Sequence, residues 1–191
     1  MKVYFTAAIF QKPQFGQAYD SIVRILHELG HDVIHEHITA QSLSVIKVQD
    51  DDERAKHYKK TLKRITESDL VVVEASFPST LNIGHEISLA LEKGKPVIGL
   101  YKKGYDSLFL SASTAEKLYL VEYTDEDLKE MLTAAIDYAK DQSDTRFNFF
   151  ISPRHVQFLD WVARTKKIPR SVYLRRLIEA DRGKHKEYFT S

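Results

Sequence analysis

Leu70-Val71-Val72-Val73-Glu74-Ala75-Ser76-Phe77-Pro78-Ser79-Thr80-Leu81-Asn82-Ile83-Gly84-His85-Glu86 reads as one strand, one loop and one helix. Leu70–Val73 is an unbroken apolar run, as a strand buried on both faces requires. Small polar residues follow, and from Asn82 to Lys93 the spacing becomes helical until Gly94 ends it. The same step recurs on both sides. Upstream, Met1–Ile9 reads as a buried first strand, and Phe15–His31 as a helix with Ile22, Val23, Leu26 and Leu29 on one stripe, closed by Gly30. Asp32–Ile38 reads as a second strand. Asp50–Thr66 reads as a polar helix whose Asp50, Asp51, Asp52 and Glu53 complement its dipole. Downstream, Pro96–Tyr101 and Lys117–Tyr123 supply two more strands before a helix over Asp125–Asp141. Strands alternating with helices imply an α/β domain with a doubly wound, mostly parallel five-stranded sheet of the flavodoxin or Rossmann type.

The 191 residues suffice for one such core plus a small appendage. Cysteine is absent, which excludes disulfides and thiolate chemistry and is compatible with a reducing cytoplasm. No apolar run approaches the ~20 residues of a membrane span, and the chain starts directly on Lys2-Val3-Tyr4-Phe5 rather than on a basic-apolar leader. The expected location is cytoplasmic, with no membrane partner. A net charge of +1 conceals a division: residues 1–144 hold 17 Lys/Arg against 23 Asp/Glu, and residues 145–191 hold 11 against 4. The two parts carry −6 and +7. A basic tail fits either a polyanion partner or a solvated helix face. The polar stretch Asp141–Asp144 has no periodicity, so the reading is a domain over 1–140, a linker over 141–145 and a basic module over 146–191.

Ligands of open α/β sheets bind beyond the carboxyl ends of the strands, which directs attention to the loops after Ile9, Ala75 and Tyr101. The loop after Ala75 leads into a helix whose N-terminal amides suit an anion or a sugar hydroxyl. Glu86 is expected in the first turn of that helix, where the dipole would hold it ionised. Spacing alone leaves two readings of Glu86 open, a residue favoured at helix starts and a carboxylate nucleophile.

With these residues in view, the chain from Lys2 to about Lys140 resembles the nucleoside 2-deoxyribosyltransferase superfamily, and within it the 2′-deoxynucleoside 5′-monophosphate N-glycosidases. Pro78-Ser79 through Gly84-His85-Glu86 resembles that branch's proline-serine, glycine, aromatic, glutamate signature with one extra residue. Val3-Tyr4-Phe5 with Ala7-Ala8-Ile9 resembles its first strand and loop, and Leu110-Ser111-Ala112 a segment lent by a neighbouring subunit. The resemblance implies Glu86 as nucleophile on C1′ and Tyr4 as its support. It implies Ala7, Ile9, Ser79, Thr80, Asn82 and Gly84 around a nucleoside or nucleoside 5′-monophosphate, with Ser111 joining across a homodimer or higher homo-oligomer. No metal or organic cofactor is implied. Thr61 stands where the family has an aspartate that protonates the leaving base, so the proton must come from elsewhere, His85, Asp51 and Asp52 being the candidates. Phe10 and Ser21 stand where the family has phosphate-binding arginines, with Lys12 as a nearby substitute. An unphosphorylated nucleoside or a modified nucleotide is therefore as well supported as a monophosphate.

The tail is expected to form a strand over Arg146–Ile151, a helix from Ser152-Pro153 with Val156, Leu159, Val162 and Ala163 inward, and a second helix with Val172, Leu174, Leu177 and Ile178 inward. This order resembles a ribbon-helix-helix module. That resemblance implies Arg146, Asn148 and Phe150 outward on the ribbon, with Arg170 at the second helix start near a phosphate. So short a segment cannot bury itself alone and is expected to dimerise or to pack on the first domain. The alternative to an N-glycosidase or 2-deoxyribosyltransferase is thus a ribbon-helix-helix DNA-binding regulator whose catalytically weak first domain senses a nucleotide.

Overall fold

The computed structural model describes residues 1–40, 51–141 and 149–185. The chain divides into two compact units, Met1–Asp144 and Thr145–Ser191. In the first, β1 (Lys2–Ala7), β2 (Asp32–Ile34), β3 (Leu70–Glu74), β4 (Val97–Lys102) and β5 (Leu118–Tyr123) form one sheet in the order β2-β1-β3-β4-β5. Every neighbouring pair is parallel. Between and after the strands run α1 (Lys12–Glu28), α2 (Glu36–Thr39), α3 (Asp51–Glu67), α4 (Leu81–Glu92), α5 (Leu108–Ser111) and α6 (Leu128–Asp141).

The two-residue period of the strands sorts the core into two layers. Val3, Phe5, Val72, Ile98 and Leu100 face Ile22, Leu26, Leu132 and Ile136 of α1 and α6. Tyr4, Val71, Val73 and Val97 face Ile65 of α3 and Ile83, Ile87 and Ala90 of α4. β3 is buried along its whole length, because both layers cover it. The chain leaves β1 toward β2 on one side, while β3 lies on the other, so the strand order reverses between β1 and β3. A crevice opens at their carboxyl ends.

Helix stops follow the glycines. Gly30 and Gly94 adopt φ of +78° and +70°, and Gly94 N–H donates to the Leu91 carbonyl at 2.9 Å to close α4. A β-carbon in this left-handed region costs about 1–2 kcal/mol. Gly94→Ala is therefore expected to lower stability by that amount in a denaturant titration.

β2 is shorter than the expected Asp32–Ile38 strand. It ends at Ile34, and Glu36–Thr39 turn into α2, burying His37 and Ile38. The cause is local. Lys12 Nζ donates to the carbonyls of Ile38 and Thr39 at 3.2 and 2.6 Å, and Ile38 enters the core, so these residues leave the ladder.

In the second unit, α7 (Pro153–Lys166) and α8 (Arg170–Arg182) are joined through Lys167 at φ 52°. Leu159 and Val162 are buried, Phe158 packs on Trp161 and Tyr173, and Arg170 pairs with Asp160. The expected inward set of α8 differs: Leu174 is partly buried, whereas Val172, Leu177 and Ile178 are exposed, because among the described residues of this unit none covers them. The expected strand Arg146–Ile151 lies outside the described residues up to 148, and Phe149–Ile151 have no regular structure. Among the described residues, no helix is long and apolar enough to cross a membrane.

Candidate active site

The crevice at the β1–β3 reversal is a pocket of about 570 Å³. Its floor is the end of β1 and the following loop, Thr6 to Phe10, and its walls are α3 and the start of α4. The loop after β3 is held at three points. Ala75 N–H donates to the Leu100 carbonyl at 2.8 Å, Phe77 N–H to the Tyr105 carbonyl at 2.7 Å, and the Pro78 carbonyl accepts from Gln11 Nε2. The Phe77–Pro78 peptide is cis.

Glu86 lines the pocket, and Tyr4 Oη donates to Glu86 Oε2 at 2.9 Å. The sequence placed Glu86 in the first turn of its helix. The helix begins at Leu81, so Glu86 is in the second turn, beyond the strongest reach of the dipole. Its protonation is governed instead by burial, which raises the carboxyl above its ordinary value. The Tyr4 hydrogen bond, nearby Thr6 and the charges of His85 and Arg64 oppose that rise. Tyr4 is fully buried, and burial, followed by the Glu86 charge, pushes its phenol well above the usual tyrosine range. It therefore remains a donor across the working pH range.

Thr6 and Thr61 are buried beside this pair, and neither hydroxyl has a well-formed hydrogen bond among the described residues. His37, also buried, stacks flat on Tyr4 at 4.9 Å between ring centroids. Both its ring nitrogens lack partners among the described residues. Burial, with smaller contributions from Arg64 and His57, lowers its pKa to about 3, so the ring is neutral. Among the described residues Thr6 and Thr61 reach only the Tyr4–Glu86 pair and His37 reaches no hydrogen-bond partner, which is costly unless an occupant completes them.

Of the residues expected around a ligand, Ala7, Ile9, Thr80, Asn82 and Glu86 line the pocket. Ser79 and Gly84 are exposed next to it, outside its lining. Ser111 Oγ donates to the Ser107 carbonyl of its own helix at 2.9 Å and is also outside the lining. Phe10 and His85 line the pocket, and His85 stacks on Tyr58 at 5.9 Å. Asp51 and Asp52 are exposed at the start of α3, and Lys12 is engaged with the carbonyls of α2. Sequence reasoning missed Arg54, His57 and Tyr58, which line the pocket together with Thr61. The spacing 54, 57, 58, 61 is one face of a helix, and that stripe was the available signal. Among the described residues no cluster of three or more His, Asp or Glu could hold a metal.

A parallel sheet with a tyrosine-bonded carboxylate in the pocket at its reversal is the arrangement that the resemblance to the nucleoside 2-deoxyribosyltransferase class implies. No family model matches the chain, but individual relatives do. A Thermofilum pendens protein named as 2′-deoxynucleoside 5′-phosphate N-hydrolase 1 is 30% identical over 145 residues, covering 72% of this chain and 99% of its own. A Nematostella vectensis protein of the same name is 29% identical over 140 residues, covering 69% and 90%. The chain belongs to this 2′-deoxynucleoside 5′-phosphate N-hydrolase family. Two solved structures share the fold at 17% identity. They are a CMP N-glycosidase from Clostridium botulinum, at TM-score 0.50 over 72% of this chain and 99% of that one, and a 2-deoxyribosyltransferase from Bacillus psychrosaccharolyticus, at 0.51 over 75% and 93%.

Proposed function

We propose that the protein cleaves the N-glycosidic bond of a nucleoside or nucleoside 5′-monophosphate, with Glu86 attacking C1′. The observation that carries this reading is the 2.9 Å hydrogen bond from Tyr4 to Glu86 at the pocket wall. A desolvated carboxylate held by one fixed donor is a competent nucleophile. Attack forms a glycosyl-enzyme ester and expels the base. Water or a second base then resolves the ester, with net retention at C1′. Ala7, Ile9, Thr80 and Asn82 bound the sugar and its 5′ substituent. The amides at the start of α4 suit a phosphate or hydroxyl there, Ser79 and Gly84 shape the approach, and Ser111 completes the site from a neighbouring subunit. The relatives' name specifies 2′-deoxynucleoside 5′-phosphates, which makes these the first substrates to offer.

The test is a panel of deoxy- and ribonucleosides and their 5′-monophosphates, with free base followed by chromatography and Glu86→Ala run beside the parent. Base release from none of them, or equal release by the variant, overturns the reading. Tyr4→Phe is expected to lower kcat by roughly 10–100-fold, the worth of a hydrogen bond to a charged group. Since the Tyr4 bond holds the Glu86 carboxyl down, its loss should also move the acid limb of the kcat–pH profile upward.

The exposed Val172, Leu177 and Ile178 of α8 support a second proposal, for the module over 146–191. It pairs with a second copy as a ribbon-helix-helix would, and its +7 charge, with Arg146, Asn148 and Arg170, contacts DNA. Arg146 and Asn148 lie outside the described residues. A mobility shift on duplex DNA at two salt concentrations tests it. Phosphate contacts are strongest at low salt, so no shift even there overturns the DNA contact.

A further inference from the structure

A base leaving an N-glycosidic bond carries away the bonding electron pair, and unless it is already cationic or strongly acidic it needs a proton. Thr61, on the α3 wall, cannot provide one near neutral pH. The remaining groups around the pocket differ in fitness. Glu86 is occupied as nucleophile and Tyr4 as its donor. His37 lines the pocket but is stacked flat on Tyr4 and kept neutral by burial, so it has no acidic proton to give. Arg54 does not release protons in proteins. His85 follows the backbone of α4 one residue from Glu86, is exposed, and stacks on the half-exposed Tyr58 at the rim. Asp51 and Asp52 lie outside the pocket lining.

His57 is different. It lines the pocket, is partly buried, and stands one helical turn before Thr61 on the same face of α3. Thr61 itself abuts Tyr4, which holds Glu86. Thr61 stands where the resemblance puts the group that meets the leaving base, so the α3 wall, with His57 on it, is the side of the pocket assigned to the base. Resting on the glycosidase reading above, we infer that His57 protonates the departing base and then removes the proton from the water that resolves the glycosyl-enzyme.

The two steps balance. In the first, a Glu86 oxygen bonds to C1′ while the C1′–N bond breaks, and its electron pair takes the proton of the His57 imidazolium. In the second, water adds to C1′, its proton passes to the now neutral His57, and the C1′–O bond to Glu86 breaks, returning the carboxylate and the imidazolium. Burial, then Arg64 and Lys60, hold the His57 pKa below the ordinary histidine value, so the imidazolium is a stronger acid but is populated only toward acid pH, and release of the ordinary base should fall as the pH rises. The charged groups that act on it are Arg64 and Lys60 of its own helix, it acts in turn on His37 of α2, and Arg54, Tyr58, His85 and Glu86 share the pocket lining with it.

The experiment uses the full chain and the best substrate from the panel. Beside it is run the same sugar phosphate with a leaving group that needs no proton, 7-methylguanine for a purine site or 4-nitrophenolate for a pyrimidine site. His57→Ala is expected to slow release of the ordinary base by ~10²-fold or more. Release of the proton-independent leaving group should fall by less than ~10-fold, and added imidazole should restore part of the lost rate. Glu86→Ala should suppress both substrates. If His57→Ala melts below the assay temperature, His57→Gln replaces it. Equal loss on both substrates, or no loss on the ordinary one, overturns the role of His57 while leaving the glycosidase reading intact. No base release by the parent protein overturns both.

Discussion

Replacing Glu86 by alanine is expected to reduce base release by ~10³-fold or more, the scale seen when a nucleophile is deleted from a catalytic unit. Chromatography of the free base measures it, and denaturing the parent protein during turnover should trap a sugar-bearing species by mass spectrometry that the variant lacks. Glu86→Gln should show the same loss of activity together with a pH-dependent gain in stability. Burial raises the folded-state pKa of Glu86, so the fold favours the protonated side chain. That contribution is full below the unfolded carboxyl value of ~4.3 and is lost as pH rises through the raised folded value. Glutamine cannot ionise. The variant should therefore melt above the parent at pH 7–8, and the gap should close near pH 4. A parent that melts higher at pH 8 would show that the pocket stabilises the carboxylate.

Ile98→Ala is expected to cost about 2–5 kcal/mol, the range for removing a large aliphatic group from a packed interior. Ile98 is fully buried in the layer between the sheet and α1 and α6. Against a typical total stability of ~5–15 kcal/mol, that is a major fraction, and the melting temperature should fall by roughly 5–20 °C. Glu86 and Tyr4 lie on the opposite face, in the layer covered by α3 and α4. KM measured well below the melting transition should therefore change little, so that stability and binding separate in one variant.

The same two-layer arrangement explains how much was legible beforehand. Leu70–Val73 could be assigned as a central strand because burial on both faces demands an unbroken apolar run, and Gly30 and Gly94 marked helix ends because a left-handed turn demands glycine. The short helices were not visible. Glu36–Thr39 contains too few residues for a period to register, and its ending was decided by Lys12, more than twenty residues away in sequence. The exposed apolar face of α8 reads as inward in sequence, since periodicity identifies an apolar stripe and not what covers it.

For the site, the residue types of Tyr4 and Glu86 and the loop between β3 and α4 were readable, together with the replacement of an expected aspartate by Thr61. These depend on neighbouring residues and on a family pattern. The chain order alone also implied a wound parallel sheet, because alternating strands and helices have few other ways to bury their apolar faces. Only the tertiary structure brought Tyr4 to within a hydrogen bond of a residue 82 positions away. It also turned the 54, 57, 58, 61 face of α3 into the same pocket and enclosed His37. Protonation was decided there too. Position within a helix suggested a carboxylate held ionised by a dipole, whereas desolvation by groups remote in sequence set its actual tendency, because the cost of burying a charge depends on everything around it and not on the chain that carries it.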